Sequence, residues 1–237
     1  MKFHEMKVVR TATPLVAVLA AVAAPLPAAV AEPTSPPTAP LQQLLLGAGE
    51  FPAGYRIVDP GRPLPTDLKV DVARAMSTAD VTPAQCKTTV STQDVSSMVG
   101  TTDVLAVRGG AALSENIDRG VADMAELAAP TRPNPCTTVT MKFRNPEQVG
   151  AYSMTVSVTG ASTAGLPAGS VAVGVRARAE VDDNGRRTTV SSQKVYAYTV
   201  VRGLTVTVVA SRADGAPDQG ELAATVNRAV AKINRAR

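Results

Sequence analysis

The stretch KVYAYTVVRGLTVTVVASR, residues 194–212, is the longest β-favouring run in the chain, and Arg202-Gly203 is its one interruption. β-branched and aromatic side chains suit a pleated surface, and Gly accepts the positive φ of a tight turn. The run therefore reads as an antiparallel hairpin of two strands, about seven residues each. With Arg202-Gly203 as the loop, Val195, Ala197 and Val201 share a face with Leu204, Val206, Val208 and Ala210. That face requires a core. Tyr196 and Tyr198 fall on the other face, opposite Thr207 and Val209, and a one-residue slip would exchange the two faces.

Upstream, alternation extends the sheet. Val171, Val173, Val175, Ala177, Ala179 and Val181 alternate with a charged stripe of Arg176, Arg178 and Glu180. The Asp182-Asp183-Asn184-Gly185 turn joins this strand to the hairpin. Its Asp-rich opening lacks the bidentate Glu that a calcium loop needs at its twelfth position, so a hairpin turn is expected there. Residues 136–143 and 152–159 read as further strands, with Tyr152, Met154, Val156 and Val158 on one side; residues 55–58 and 103–107 add two shorter candidates.

Helices are expected at four places. Residues 41–46 suit a short turn. Thr82-Pro83-Ala84-Gln85 has the N-cap, first-turn Pro and capping-box Gln of a helix start. Ser114 caps a second, with Ile117, Val121, Met124, Ala125 and Ala128 at helical spacing. Asp218 and Glu221 open the last, whose Leu222, Val226, Ala229, Val230 and Ile233 form an apolar stripe suited to lie on the sheet.

The amino-terminal residues indicate export. Lys2, Lys7 and Arg10 precede an apolar run interrupted by Pro14, Pro25 and Pro27, and Ala29-Val30-Ala31 offers small residues for cleavage. This is the pattern of a secretory signal peptide, 1–31, and not of a membrane anchor. Residues 32–40, EPTSPPTAP, form a Pro-rich linker expected to be extended and mobile. One domain, 41–237, follows. Losing Lys2, Lys7, Arg10 and Glu5 lowers the formal charge from +4 to +2, which does not argue for nucleic acid. The only histidine, His4, leaves with the signal, so a histidine-based triad or metal site is not expected, nor any cofactor. Cys86 and Cys136, an even pair in an exported chain, are expected to form one disulfide.

Two features carry candidate chemistry. Ser191 and Lys194 match the S-x-x-K of penicillin-recognising enzymes, but in a strand positions three apart point to opposite faces. Tyr152, Tyr196 and Tyr198, with Arg176 and Arg178, are the expected binding residues: tyrosines to line a groove, guanidinium to hold an acidic head group. Sheet packing and a solvated stripe are the structural alternatives.

FPAGY (51–55), TPAQC (82–86), Cys136, the strand at Ser170, YTVVRGLTVTV (198–208) and the closing helix resemble, in their order, the extracytoplasmic sensor-like domain of actinobacterial serine/threonine kinases and related small mycobacterial envelope proteins. The resemblance implies an α+β fold, a bent and mainly antiparallel sheet with helices packed on one face in two layers. It also implies a cleft for a ligand. The kinase domain, membrane helix, second cysteine pair and lipid-attachment cysteine of those relatives are not seen in this sequence. The expectation is a secreted, extracytoplasmic, non-enzymatic domain without a transmembrane anchor in its mature form. Its partner would be a small molecule, lipid or envelope protein; the alternative is an exported hydrolase using carboxylates or Ser/Lys.

Overall fold

The computed structural model describes residues 35–58, 78–87, 104–144, 151–183, 186–213 and 215–237. All belong to one compact unit, Glu32–Arg237. The signal peptide expected at 1–31 lies outside the described residues. The strands are β1 (Arg56–Val58), β2 (Asp80–Thr82), β3 (Val104–Arg108), β4 (Ala111–Arg119), β5 (Thr138–Lys142), β6 (Ala151–Gly160), β7 (Val171–Asp183), β8 (Arg186–Val201) and β9 (Leu204–Arg212). The helices are α1 (Leu41–Leu44), α2 (Met124–Ala128) and α3 (Gln219–Arg235). Among the described residues the strands form a single open sheet, ordered β1-β3-β4-β9-β8-β7-β6-β5-β2, with every neighbouring pair antiparallel. The architecture is α+β.

The β8–β9 hairpin folds as its sequence predicts. Val201 pairs with Leu204 across Arg202 and Gly203, whose φ values of 49° and 71° suit a two-residue turn of the primed type. Val195, Ala197 and Val201 then line up with Leu204, Val206, Val208 and Ala210 on one buried face. Helix α3 covers that face with Leu222, Val226, Ala229 and Ile233; Leu44, Leu46 and Phe51 complete the cluster. Full burial of a side chain such as Leu222 or Ile233 contributes about 1.5–3 kcal/mol, so this stripe holds α3 in place. The Asp218 carboxylate caps the helix, accepting from the backbone N–H groups of Gly220 and Glu221.

A second core lies on the opposite face, towards the other end of the sheet. Val81, Cys86, Val139, Met141, Phe143 and Ala151 are buried there, with Met154, Val156 and Val181 against them. The Cys86–Cys136 disulfide, with Cα atoms 5.4 Å apart, joins the segment after β2 to the segment before β5. It gives this small cluster a covalent tie.

Several expectations are corrected. The helix expected from Ser114 is strand β4, paired with β9 along all nine residues. Leu113, Glu115 and Ile117 alternate inward, but the acidic member disguised the period of two; Glu115 is fully buried and accepts a 2.7 Å hydrogen bond from the Leu46 N–H. Only Met124–Ala128 of that expected helix is helical, capped by Asp123. At Thr82-Pro83 the chain is extended, because Thr82 pairs with Thr140 at the sheet edge, and one 3-10 turn (Ala84–Cys86) follows. The linker is not free over residues 35–40: Pro37 is buried, and the Thr38 N–H donates to the Arg237 carbonyl. Helices α1 and α3 share the valine face. The Ala122 N–H ahead of α2 is instead held by Thr205 Oγ1, whose alternation places it on the other face.

Candidate functional site: the arginine face of the sheet

The β7–β8 register decides which candidate residues meet. Val171 pairs with Tyr198 and Val173 with Tyr196, whereas Arg176 pairs with Gln193 and Arg178 with Ser191. Cross-strand partners share a face, and alternate residues change face. Tyr196 and Tyr198 therefore stand with Val171 and Val173, and Arg176 and Arg178 project from the other side of the sheet. Tyr196 and Tyr198 are thus separated from Arg176 and Arg178, and that part of the expected surface does not form.

Each group has its own surroundings. The Tyr196 and Tyr198 rings stack at 6.2 Å between centroids, 9° from parallel, and both are half-buried. Burial pushes the Tyr196 hydroxyl up, and burial followed by the charge of Tyr196 pushes that of Tyr198 up to about 12. The pair is stacked and half-buried on the face opposite Arg176 and Arg178. Tyr152 leaves the Met154 face because the β6–β7 register shifts between Ala151 and Ser153. The Arg187 guanidinium lies 4.1 Å from its ring centroid.

On the arginine side, Ser157, Arg176, Gln193 and Arg212 form one row across β6, β7, β8 and β9. The adjacent row is Thr140, Thr155, Arg178 and Ser191. Strand spacing places Arg176 and Arg212 roughly 10 Å apart, and Arg176 and Arg178 about 7 Å apart. Hydroxyl ladders floor the rest of the surface: Thr138 donates to Ser157 at 3.1 Å, and Thr140 and Thr155 are linked at 3.0 Å. All three arginines are exposed, and among the described residues no carboxylate pairs with any of them. The acidic groups nearby are engaged: Glu180 accepts from Ser153 Oγ, and Asp80 pairs with Arg144, which holds its carboxyl below the usual range. Guanidinium groups bind carboxylate, phosphate or sulfate oxygens in forked pairs, and the hydroxyl and amide groups between them can bond a ligand's own hydroxyls.

A pocket of about 100 Å³ opens beside Arg212, against the N-terminal end of α3, lined by Tyr55, Arg108, Asp218 and Glu221 among others. Tyr55, Arg108 and Glu221 are committed to one another. Arg108 meets the Glu221 carboxylate at 2.7 and 2.9 Å, Tyr55 donates to it at 3.0 Å, and Arg108 lies 4.6 Å above the Tyr55 ring. Burial, then the hydrogen bond to Glu221, pushes the Tyr55 hydroxyl up to about 12. These contacts tie residues 53–55, β3 and α3 together. Among the described residues no group of three or more His, Cys, Asp or Glu could hold a metal ion. Ser191 and Lys194 pair with Arg178 and Val175 and so point to opposite faces, as the strand reading requires.

Arg212 and Gln193 escaped the reading of the sequence. The signal was present: continuing the period of two back from the Arg202-Gly203 turn pairs Gln193 with Arg212 on the face opposite the tyrosines.

No family model matches the chain, and no curated protein matches it. Among solved structures, an uncharacterised protein of Mycobacterium smegmatis (the Rv0999 ortholog) is similar at 13% identity, over 78% of this chain and 92% of that one, with a TM-score of 0.44. At this similarity no site or activity passes from one chain to the other. Among the described residues no helix is long and apolar enough to cross a membrane.

Proposed function

We propose that the protein is an exported, non-enzymatic domain of the cell envelope that binds a ligand or partner through the arginine face of its sheet. The observation that carries this reading is the row Arg176–Gln193–Arg212 with Arg178 beside it: exposed guanidinium groups on a rigid sheet, without carboxylate partners among the described residues. A charged side chain that stabilises nothing in its own fold is free to recognise something else. The signal-like amino terminus and the Cys86–Cys136 disulfide fit an oxidising, extracytoplasmic compartment. The order of motifs resembling sensor-like domains fits a binding role. The hydrolase alternative gains no support from Ser191 and Lys194 on opposite faces, or from Glu221 held by Arg108 and Tyr55.

The test is capture from envelope extract by the immobilised mature protein, with salt elution and mass spectrometry. The wild type should retain a defined set of species that the Arg176→Gln/Arg178→Gln variant loses at unchanged melting temperature. An identical set on both proteins, or none on either, overturns the reading.

A further inference from the structure

From the same face we infer the class of ligand, an extended anionic polysaccharide; this deepens the proposed binding function and rests on it. Three properties of the surface point there. Its charge is distributed, with Arg176 about 7 Å from Arg178 and about 10 Å from Arg212, which suits anions repeating along a polymer better than one compact anion. Between the guanidinium groups stand short hydrogen-bonding side chains, Gln193 between Arg176 and Arg212, Ser191 beside Arg178, and Ser157 and Thr155 on the next strand. A glycan chain alternates acidic groups with hydroxyls and matches this alternation group for group. The two arginine rows from β6 to β8 consist of Ser157, Arg176 and Gln193, and of Thr155, Arg178 and Ser191, with no aromatic or large aliphatic side chain among them. Rows of that kind have nothing to insert into a lipid bilayer and no ring of their own on which to stack a nucleobase; the Tyr152 ring, at the start of β6, is covered by the Arg187 guanidinium.

The fold makes the array rigid. The arginines stand on β7 and β9, inside the sheet, with neighbouring strands paired on both sides. Little backbone ordering remains when a ligand binds, so affinity reflects the charge and hydrogen-bond match. Binding that rests on several exposed ion pairs also weakens steeply with salt.

The experiment measures binding of the mature protein to polygalacturonate and to heparin by titration calorimetry at rising salt. Neutral dextran, phosphatidylglycerol vesicles and duplex DNA serve as comparison probes. Wild type should bind at least one of the two acidic glycans, ignore dextran, and bind neither vesicles nor DNA as tightly. Arg176→Gln/Arg178→Gln/Arg212→Gln should weaken glycan binding by more than about tenfold and flatten the salt dependence, whereas Arg132→Gln, at the end of the 3-10 turn that follows α2 and outside the arginine rows, should leave both unchanged. Tighter binding to vesicles or DNA than to either glycan overturns the ligand class, as does a triple variant that binds like wild type. If both glycans fail while the arginine variant still loses its captured species from envelope extract, the polysaccharide assignment falls and the binding reading stands. Failure of both assays removes both.

Discussion

Arg202 Nη1 donates to the Ala236 carbonyl at 2.6 Å, so the turn of the β8–β9 hairpin caps the carboxyl end of α3. The same nitrogen reaches the Ile233 carbonyl at 2.8 Å, and Nε bonds the Ser35 carbonyl at 2.7 Å. The last carbonyls of a helix lack partners within it and carry partial negative charge, which a guanidinium satisfies on both counts.

Replacing this cap should cost stability. Arg202→Asn keeps a residue tolerant of the left-handed φ of 49° while removing the guanidinium. The expected loss is about 2 kcal/mol, a melting temperature lower by roughly 4–8 °C. An unchanged melting curve would show that the cap is idle.

The disulfide closes a loop with a sequence separation of 50 residues. Chain entropy assigns such a link about 4 kcal/mol. Cys86→Ser/Cys136→Ser should therefore unfold at clearly lower denaturant, and thiol labelling of the native exported protein should find no free cysteine. Labelling at both positions would contradict the pairing.

Alkaline titration distinguishes the tyrosines. Tyr55 and Tyr198 are raised to about 12 and Tyr196 is raised above its ordinary value, so in the fold all three favour the neutral hydroxyl. Their contribution to stability is complete below pH 10 and is lost as pH rises through the folded values. Phenolate absorbance should lag that of free tyrosine, and Glu221→Gln should advance Tyr55 alone. Full ionisation near pH 10 with the fold intact would refute the burial of these groups.

Glu50 gives the acid counterpart. The Gly47 N–H and then Lys232 Nζ, each 2.7 Å away, hold its carboxyl below the ordinary value of 4.5. Its contribution is present above that value and fades as pH falls through the lower, folded one. Glu50→Gln should reduce the stability lost on acidification below pH 4.5; equal acid sensitivity in both proteins would count against the contact.

The hairpin and α3 were legible because each obeys a single period, and their buried residues are those the period names. Strand β4 was hidden by Glu115, an acid in a core position where it accepts a hydrogen bond from the Leu46 N–H. The failure at the candidate site was one of register. Asp183 pairs with Arg186 at the end of the β7–β8 ladder. Counting from that pair sets Tyr196 against Val173 and Arg176 against Gln193. Alternation had already separated Arg176 from Val175; what it lacked was the pairing that shows which of them the tyrosines join. The bulge that withdraws Tyr152 has no comparable mark in the sequence.

The most direct measurement of the central claim is arginine footprinting with phenylglyoxal, read by mass spectrometry, on the mature protein with and without the acidic fraction of envelope extract. The account predicts protection at Arg176, Arg178 and Arg212, with Arg132 modified equally in both states. Protection elsewhere with these three unchanged, or no protection at any arginine, would contradict it.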